Sequence, residues 1–163
     1  MSNKNLKKIG DILSVVCIVM LLIALLFGSS FIRIGAQNLV AVDNVKIDLE
    51  TFGKNAVKTE GTVLSTDYQT THISYDVEGE KITMDLQVYS EEYVPGSKLD
   101  VYYSNDDSTA IRVPDIFISY YKKTGWTMMR IGFIIFGTCA FVGGGCLVAI
   151  KVIKKKIKNE YIY

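Results

Sequence analysis

The polar middle of this 163-residue chain has no cysteine; Cys17, Cys139 and Cys146 all fall in apolar stretches near the ends. A disulfide framework is therefore excluded for the middle segment, and the three thiols read as small apolar fillers. Histidine occurs once, at His72. One imidazole cannot make a two- or three-histidine metal centre, and no cysteine of the polar segment can complete it. Proline occurs only at Pro95 and Pro114, and no internal repeat or low-complexity tract is present, which excludes a proline-rich linker. Positive charge is also short in residues 33–125, where fifteen Asp and Glu face nine Lys and Arg. A nucleic-acid surface needs a basic footprint, so this acidic segment falls outside that class.

What is abundant lies at the ends. Residues 12–32 and 131–150 are strongly apolar and uncharged. At about 1.5 Å rise per residue, roughly 20 helical residues cross a hydrocarbon core of about 30 Å. Both stretches meet that length, and each must be helical because no water is present there to satisfy the backbone. Lys4, Lys7 and Lys8 precede the first stretch as they would in a signal peptide. However, the apolar run 12–27 exceeds the roughly 7–15 residues of such a region, and only Ile34-Gly35-Ala36 weakly resembles a cleavage site. An uncleaved anchor is expected. The organisation read from the sequence is a cytoplasmic tail (1–11), a first transmembrane helix (12–32), an extracytoplasmic domain (33–125), a second transmembrane helix (126–150) and a basic tail (151–163).

Lysine and arginine in short flanks set orientation. The two tails carry eight lysines, including Lys151, Lys154, Lys155 and Lys156. The flanks on the domain side carry fewer per residue, which predicts both termini in the cytoplasm of a cell membrane. Trp126, Tyr120 and Tyr121 stand just before the second span, where aromatic rings occupy the headgroup level, and Arg130 can snorkel outward beside them. Small residues recur four apart at Ala24 and Gly28, at Ala140 and Gly144, and at Gly145 and Ala149. Such pairs let helices approach closely, within one chain or in a homo-oligomer. The lysine cluster after the second span reads as an anchor on an anionic leaflet.

The middle segment reads as small and all-β. Residues 61–65 form one strand signal. Ile73, Tyr75 and Val77 alternate in the next, and Glu78-Gly79-Glu80 closes a tight turn. Ile82, Met84, Leu86 and Val88 alternate in a third, and Leu99, Val101 and Tyr103 in a fourth after the Pro95-Gly96 turn. Residues 110–113 make a short fifth. This period of two marks half-buried strands, and five of them joined by short loops predict an antiparallel meander curled into a barrel-like module over residues 60–114. Val45, Ile47 and Leu49 also alternate, so residues 36–58 are expected to be a further strand or an extended connector. The domain carries eight tyrosines, which can fill a small core or furnish a binding surface.

The order Glu60-Gly61-Thr62-Val63, Ile73-Ser74-Tyr75-Asp76-Val77-Glu78-Gly79, Val94-Pro95-Gly96-Ser97-Lys98-Leu99-Asp100-Val101-Tyr102-Tyr103 and Ala110-Ile111-Arg112-Val113 resembles bacterial membrane proteins grouped as the domain of unknown function 3592 family. The resemblance covers residues 60–113 and the flanking spans. It departs at Ser104-Asn105-Asp106-Asp107-Ser108, where the family often has prolines. It implies a β module on membrane helices, and no known activity, cofactor or catalytic residue.

No catalytic set stands out. His72 shares the polar face of its strand with Ser74 and Asp76, but successive residues on one face lie about 6–7 Å apart, too far for a hydrogen-bonded triad. Asn105-Asp106-Asp107 lacks the spacing of a calcium loop and reads as a turn. Glu91-Glu92 reads as an exposed loop pair, and Gly143-Gly144-Gly145 lies within a span rather than in a phosphate loop. The expectation is a non-enzymatic interaction or accessory protein of the cell envelope, without cofactor, binding an unidentified envelope protein. The alternatives are an accessory or immunity-type protein acting through its helices on a transporter or toxin, and an envelope hydrolase using His72.

Overall fold

The structure is a computed structural model that describes residues 3–53 and 56–160, with side chains for 4–53 and 56–158. Residues 54–55 of the expected connector and 161–163 of the basic tail lie outside the described residues. The chain forms two compact units, Met1–Ile34 with Thr127–Tyr163, and Gly35–Trp126.

The first unit is helical. Helix α1 (Asn3–Ile23) runs through a π-helical turn, Ala24–Gly28, into α2 (Ser29–Phe52). Helix α3 spans Pro114–Glu160. Both continuous helices, Lys4–Phe52 and Pro114–Lys158, carry stretches long and apolar enough to cross a membrane, and only 11% of each stretch is buried. Leu21, Leu26 and Phe141 are 61%, 63% and 85% exposed. The apolar side chains therefore face outward, a surface that water opposes and lipid accepts. The 47 residues of α3 reach about 70 Å, more than twice a hydrocarbon core of about 30 Å. Just after the π turn, Ser29 and Ser30 donate their hydroxyls to Leu25 O and Leu26 O, which satisfies both hydroxyls without water.

The second unit holds a five-stranded antiparallel sheet in the order β3-β2-β1-β4-β5. The strands are β1 (Ala56–Thr66), β2 (Thr71–Val77), β3 (Glu80–Leu86), β4 (Lys98–Ser104) and β5 (Ile111–Arg112). Each of the five strand signals falls on one of these strands, although β1 begins earlier than expected, at Ala56, and β3 ends at Leu86, before Val88. Their order corrects the expected meander: β1 is central, and the connection from β3 to β4 crosses from one side of it to the other. The sheet curls into a half-barrel, and its edges β3 and β5 do not pair.

Gly61 explains the curl. The first half of β1 pairs with β4 through Thr62, while Gly61 onward pairs with β2, and the register slips between Val63 and Ser65. A Cβ on Gly61 would lie 2.5 Å from Val101 Cγ2 and 2.9 Å from Leu99 Cδ1, so only glycine lets the inner face close this tightly. The β2–β3 hairpin turns on Glu78 and Gly79, both at positive φ, the backbone that twisted two-residue hairpins require. Asp76 Oδ1 accepts the Gly79 N–H at 2.8 Å.

The core gathers Val63, Ile73, Tyr75, Leu86, Val88, Leu99, Val101, Val113 and Ile116. Ile116 comes from α3, whose first residue is Pro114. That start suits proline, whose missing N–H is an unpaired position anyway, and Asp115 adds a favourable charge in the first turn. Residues 36–52 are helical, not a strand or an extended connector. Leu39, Val42, Val45, Leu49 and Phe52, spaced three or four apart, are buried or half-buried, while Ile47 is 59% exposed. The alternation of Val45, Ile47 and Leu49 was two members of a helical stripe and one outward residue.

Candidate functional site

His72 acquires partners that its own strand does not offer. The β2–β3 register sets His72 opposite Asp85, and Nδ1 lies 2.5 Å from Asp85 Oδ1. Nε2 lies 3.7 Å from Asp67 Oδ2 in the β1–β2 turn. Asp67 is itself fixed, since Gln69 and Thr70 donate their N–H groups to its Oδ1 at 3.1 and 2.8 Å. Those turn hydrogen bonds hold its carboxyl below the usual range, with His72 adding to the effect. The hydrogen bond to Asp85 raises His72 above its ordinary value, against partial desolvation, and the charges of Asp85 and Asp67 add to the rise. Ser74 is buried and forms no hydrogen bond to His72 among the described residues, so the Ser–His–Asp reading is not assembled.

The raised value has a definite sign. A group that binds its proton more tightly when folded stabilises the fold below the unfolded pKa, and loses that contribution as pH rises through the folded pKa. This contribution to the hairpin is thus expected to be fully present below about 6.5 and to be lost as pH rises through the folded His72 value. NMR titration of the imidazole should give a midpoint above about 6.5, returning toward it in Asp85→Asn. An unchanged midpoint in that variant would remove Asp85 as the cause.

Among the described residues, two clefts can be placed beside the half-barrel. The first, of about 550 Å³, lies where the sheet fails to close. Both open edges line it, β3 through Met84 and Leu86 and β5 through Ile111, and α2 supplies Val45 and Leu49. Arg112 beside it is held by Asp48 and stacks its guanidinium 4.7 Å from the Phe52 ring centre, so β5 and the end of α2 are tied together.

The second cleft, of about 750 Å³, is lined by Tyr68, Tyr89, Tyr120 and Tyr121, with Asn38, Gln69 and Gln87. Its wall is strapped in place. Ser90 Oγ lies 2.7 Å from Ser119 Oγ on α3, Ser119 also donates to Glu92, and Lys123 pairs with Glu91. The loop pair Glu91-Glu92 is exposed, as expected, and also tethers its loop to α3. The tyrosines divide by role: Tyr75 and Tyr103 are buried, whereas Tyr68 is 90% exposed.

The small residues divide too. A Cβ on Gly28 would lie 2.8 Å from Phe136 Cδ2, and one on Gly132 would lie 2.6 Å from Ile32 Cγ1 and 2.8 Å from Gly28 O. Ala24 is buried. Gly144 and Gly145 have nothing within 4 Å of a Cβ, and Ala140 is exposed while Ala149 is half-buried. The close approach within the chain therefore falls at Gly28 and Gly132. Gly132 carried no four-residue pairing in the sequence; its seven-residue distance from Gly125 was the available signal, because a Cβ on Gly125 would likewise lie 3.0 Å from Gly35 O. An apolar cleft of about 520 Å³ opens beside Cys17, Leu21, Phe136, Cys139 and Gly143, with the Cys17 thiol 3.5 Å from Gly143 O.

Trp126, Tyr120 and Arg130 are exposed, as are Lys151, Lys154, Lys155 and Lys156, and Tyr121 is half-buried with its ring edge-on to Tyr120 at 5.4 Å. Among the described residues no group of three or more His, Cys, Asp or Glu is placed to hold a metal ion. No protein-family profile, curated protein or solved structure matches the chain.

Proposed function

We propose that the chain is a cell-membrane protein whose extracytoplasmic β module binds a partner and catalyses no reaction, as an accessory of the cell envelope. The observation that carries this reading is the cleft between the unpaired edges β3 and β5. An unpaired edge offers a row of backbone donors and acceptors to an extended segment of another chain, and the apolar side chains of Met84, Ile111 and Leu49 beside it give that segment area to bury. The outward apolar faces of the long helices support the membrane location, and the lysine bias of the tails supports the orientation. Kinship with the domain of unknown function 3592 proteins is part of the proposal. Its motif glycines Gly79 and Gly96 both take positive φ, the role a structural motif asks of them.

A photo-crosslinking residue in place of Met84 should capture one discrete protein in living cells, and the same residue at Asn105, which is exposed and outside the cleft lining, should not. Equal capture at both positions, or none at Met84, would contradict the reading. The helix-borne alternative is favoured by the apolar cleft beside Gly143 and Gly144, which could seat another transmembrane helix. A Gly144→Leu change that abolished function in cells, with Met84 capture intact, would select it.

A further inference from the structure

We propose that the tyrosine-lined cleft binds a neutral saccharide. Its walls come from four regions: Asn38 on α2, Tyr68 and Gln69 in the β1–β2 turn, Gln87 and Tyr89 following β3, and Tyr120 and Tyr121 on α3. A sugar ring presents apolar C–H faces and a rim of hydroxyls that both donate and accept. Tyrosine rings offer flat apolar faces for the first and a phenol for the second. Carboxamides carry a donor and an acceptor on one side chain, and this cleft has three of them. Charge decides between ligand classes. Among the described residues lining the cleft, the charged side chain is Glu91, and Lys123 pairs with it. Among the described residues an anionic ligand would find no free cation in the lining, and a cationic one no free carboxylate. The volume, about 750 Å³, falls within the roughly 300–1,000 Å³ of small-ligand clefts. Tyr68 has no packing role that competes with this one, since it is 90% exposed.

The saccharide can come from two sources, a soluble oligosaccharide or the headgroup of a glycolipid. The inference does not depend on the cleft between β3 and β5, although Gln87, Phe117 and Tyr121 border both. The test uses the full chain. In a detergent without a sugar headgroup, saturation-transfer NMR is run against maltohexaose, chitohexaose and an anionic hyaluronan hexamer. In nanodiscs with or without diglucosyl diacylglycerol, retained lipid is read by native mass spectrometry. Binding of a neutral probe is expected, weakened about tenfold or more in Tyr68→Ala and in Tyr89→Ala and kept in Tyr68→Phe. Binding in the first arm alone identifies a soluble glycan, and in the second a glycolipid; either supports the inference. Four outcomes would overturn it: no neutral probe bound in either arm, preference for the hyaluronan hexamer, binding indifferent to Tyr68 and Tyr89, or a protein adduct at Tyr68 without saccharide binding. Met84 capture that survives such a result leaves the partner reading standing, and loss of Met84 capture with saccharide binding intact removes that reading alone.

Discussion

Ile116→Ala is expected to destabilise the β unit by about 2–5 kcal/mol, the range for removing a fully buried isoleucine that leaves a partly uncollapsed cavity. Ile116 is 0% exposed and sits among Val63, Ile73, Val101 and Val113. It is also the residue through which the start of α3 enters the half-barrel. An open sheet of five short strands has one concave face to bury, and here that face is completed by a helix rather than by a second sheet. Domains of this size hold about 5–15 kcal/mol in all, so the change would consume a large share. Hydrogen exchange of the β1 and β4 amides should show it as a lowered opening free energy across the sheet. The control is Ile47→Ala. Ile47 is 59% exposed on α2, so that change should stay within about 0.5 kcal/mol. If Ile47→Ala cost as much as Ile116→Ala, residues 36–52 would be packed by their strand period, and the helix assignment would fail.

Gly132→Val is expected to force the two membrane-length helices apart. The obstruction is backbone, with Gly28 O at 2.8 Å and Ile32 N at 3.0 Å from the position a Cβ would take, and neither atom can rotate away. Apolar packing against lipid gives little net drive for association, so close backbone contact is the main attraction lost. A destabilisation of about 1–3 kcal/mol or more follows from overpacking of this kind. Pulsed electron spin resonance between labels on the two helices should report a longer distance, with a lower melting temperature in lipid. Gly144→Val, at a position with nothing within 4 Å, should change neither.

The longer strands were legible because one face of each is more buried than the other, and burial writes a period of two into the sequence. Leu99, Val101 and Tyr103 of β4 are all buried as that period requires. The strand order was not legible, since alternation says which residues face inward but not which neighbour they meet. The central place of β1 depends on Gly61, a residue whose role appears only once Val101 and Leu99 stand beside it. Three alternating apolar residues are too few to separate the two periods, which is why residues 36–52 of α2 were read as a further strand or an extended connector. Extending the window to Leu39, Val42 and Phe52 would have shown the helical spacing, and Pro114-Asp115 was an unread helix start. The site was less legible than the fold. The Asp85 partner of His72 lies thirteen residues away and is defined by register alone, and the clefts draw on elements distant in sequence.

The central claim is a membrane-held chain with its β unit outside and its lysine tail inside. Impermeant thiol labelling tests it most directly. Ser90 is 3% exposed and bonded to Ser119, so the label belongs on exposed positions. In a background with Cys17, Cys139 and Cys146 replaced, single cysteines are placed as Asn105→Cys and Lys155→Cys. The account predicts that the first labels in intact cells and the second only after permeabilisation. Labelling in the reverse order, or recovery of the chain in the soluble fraction, would contradict it.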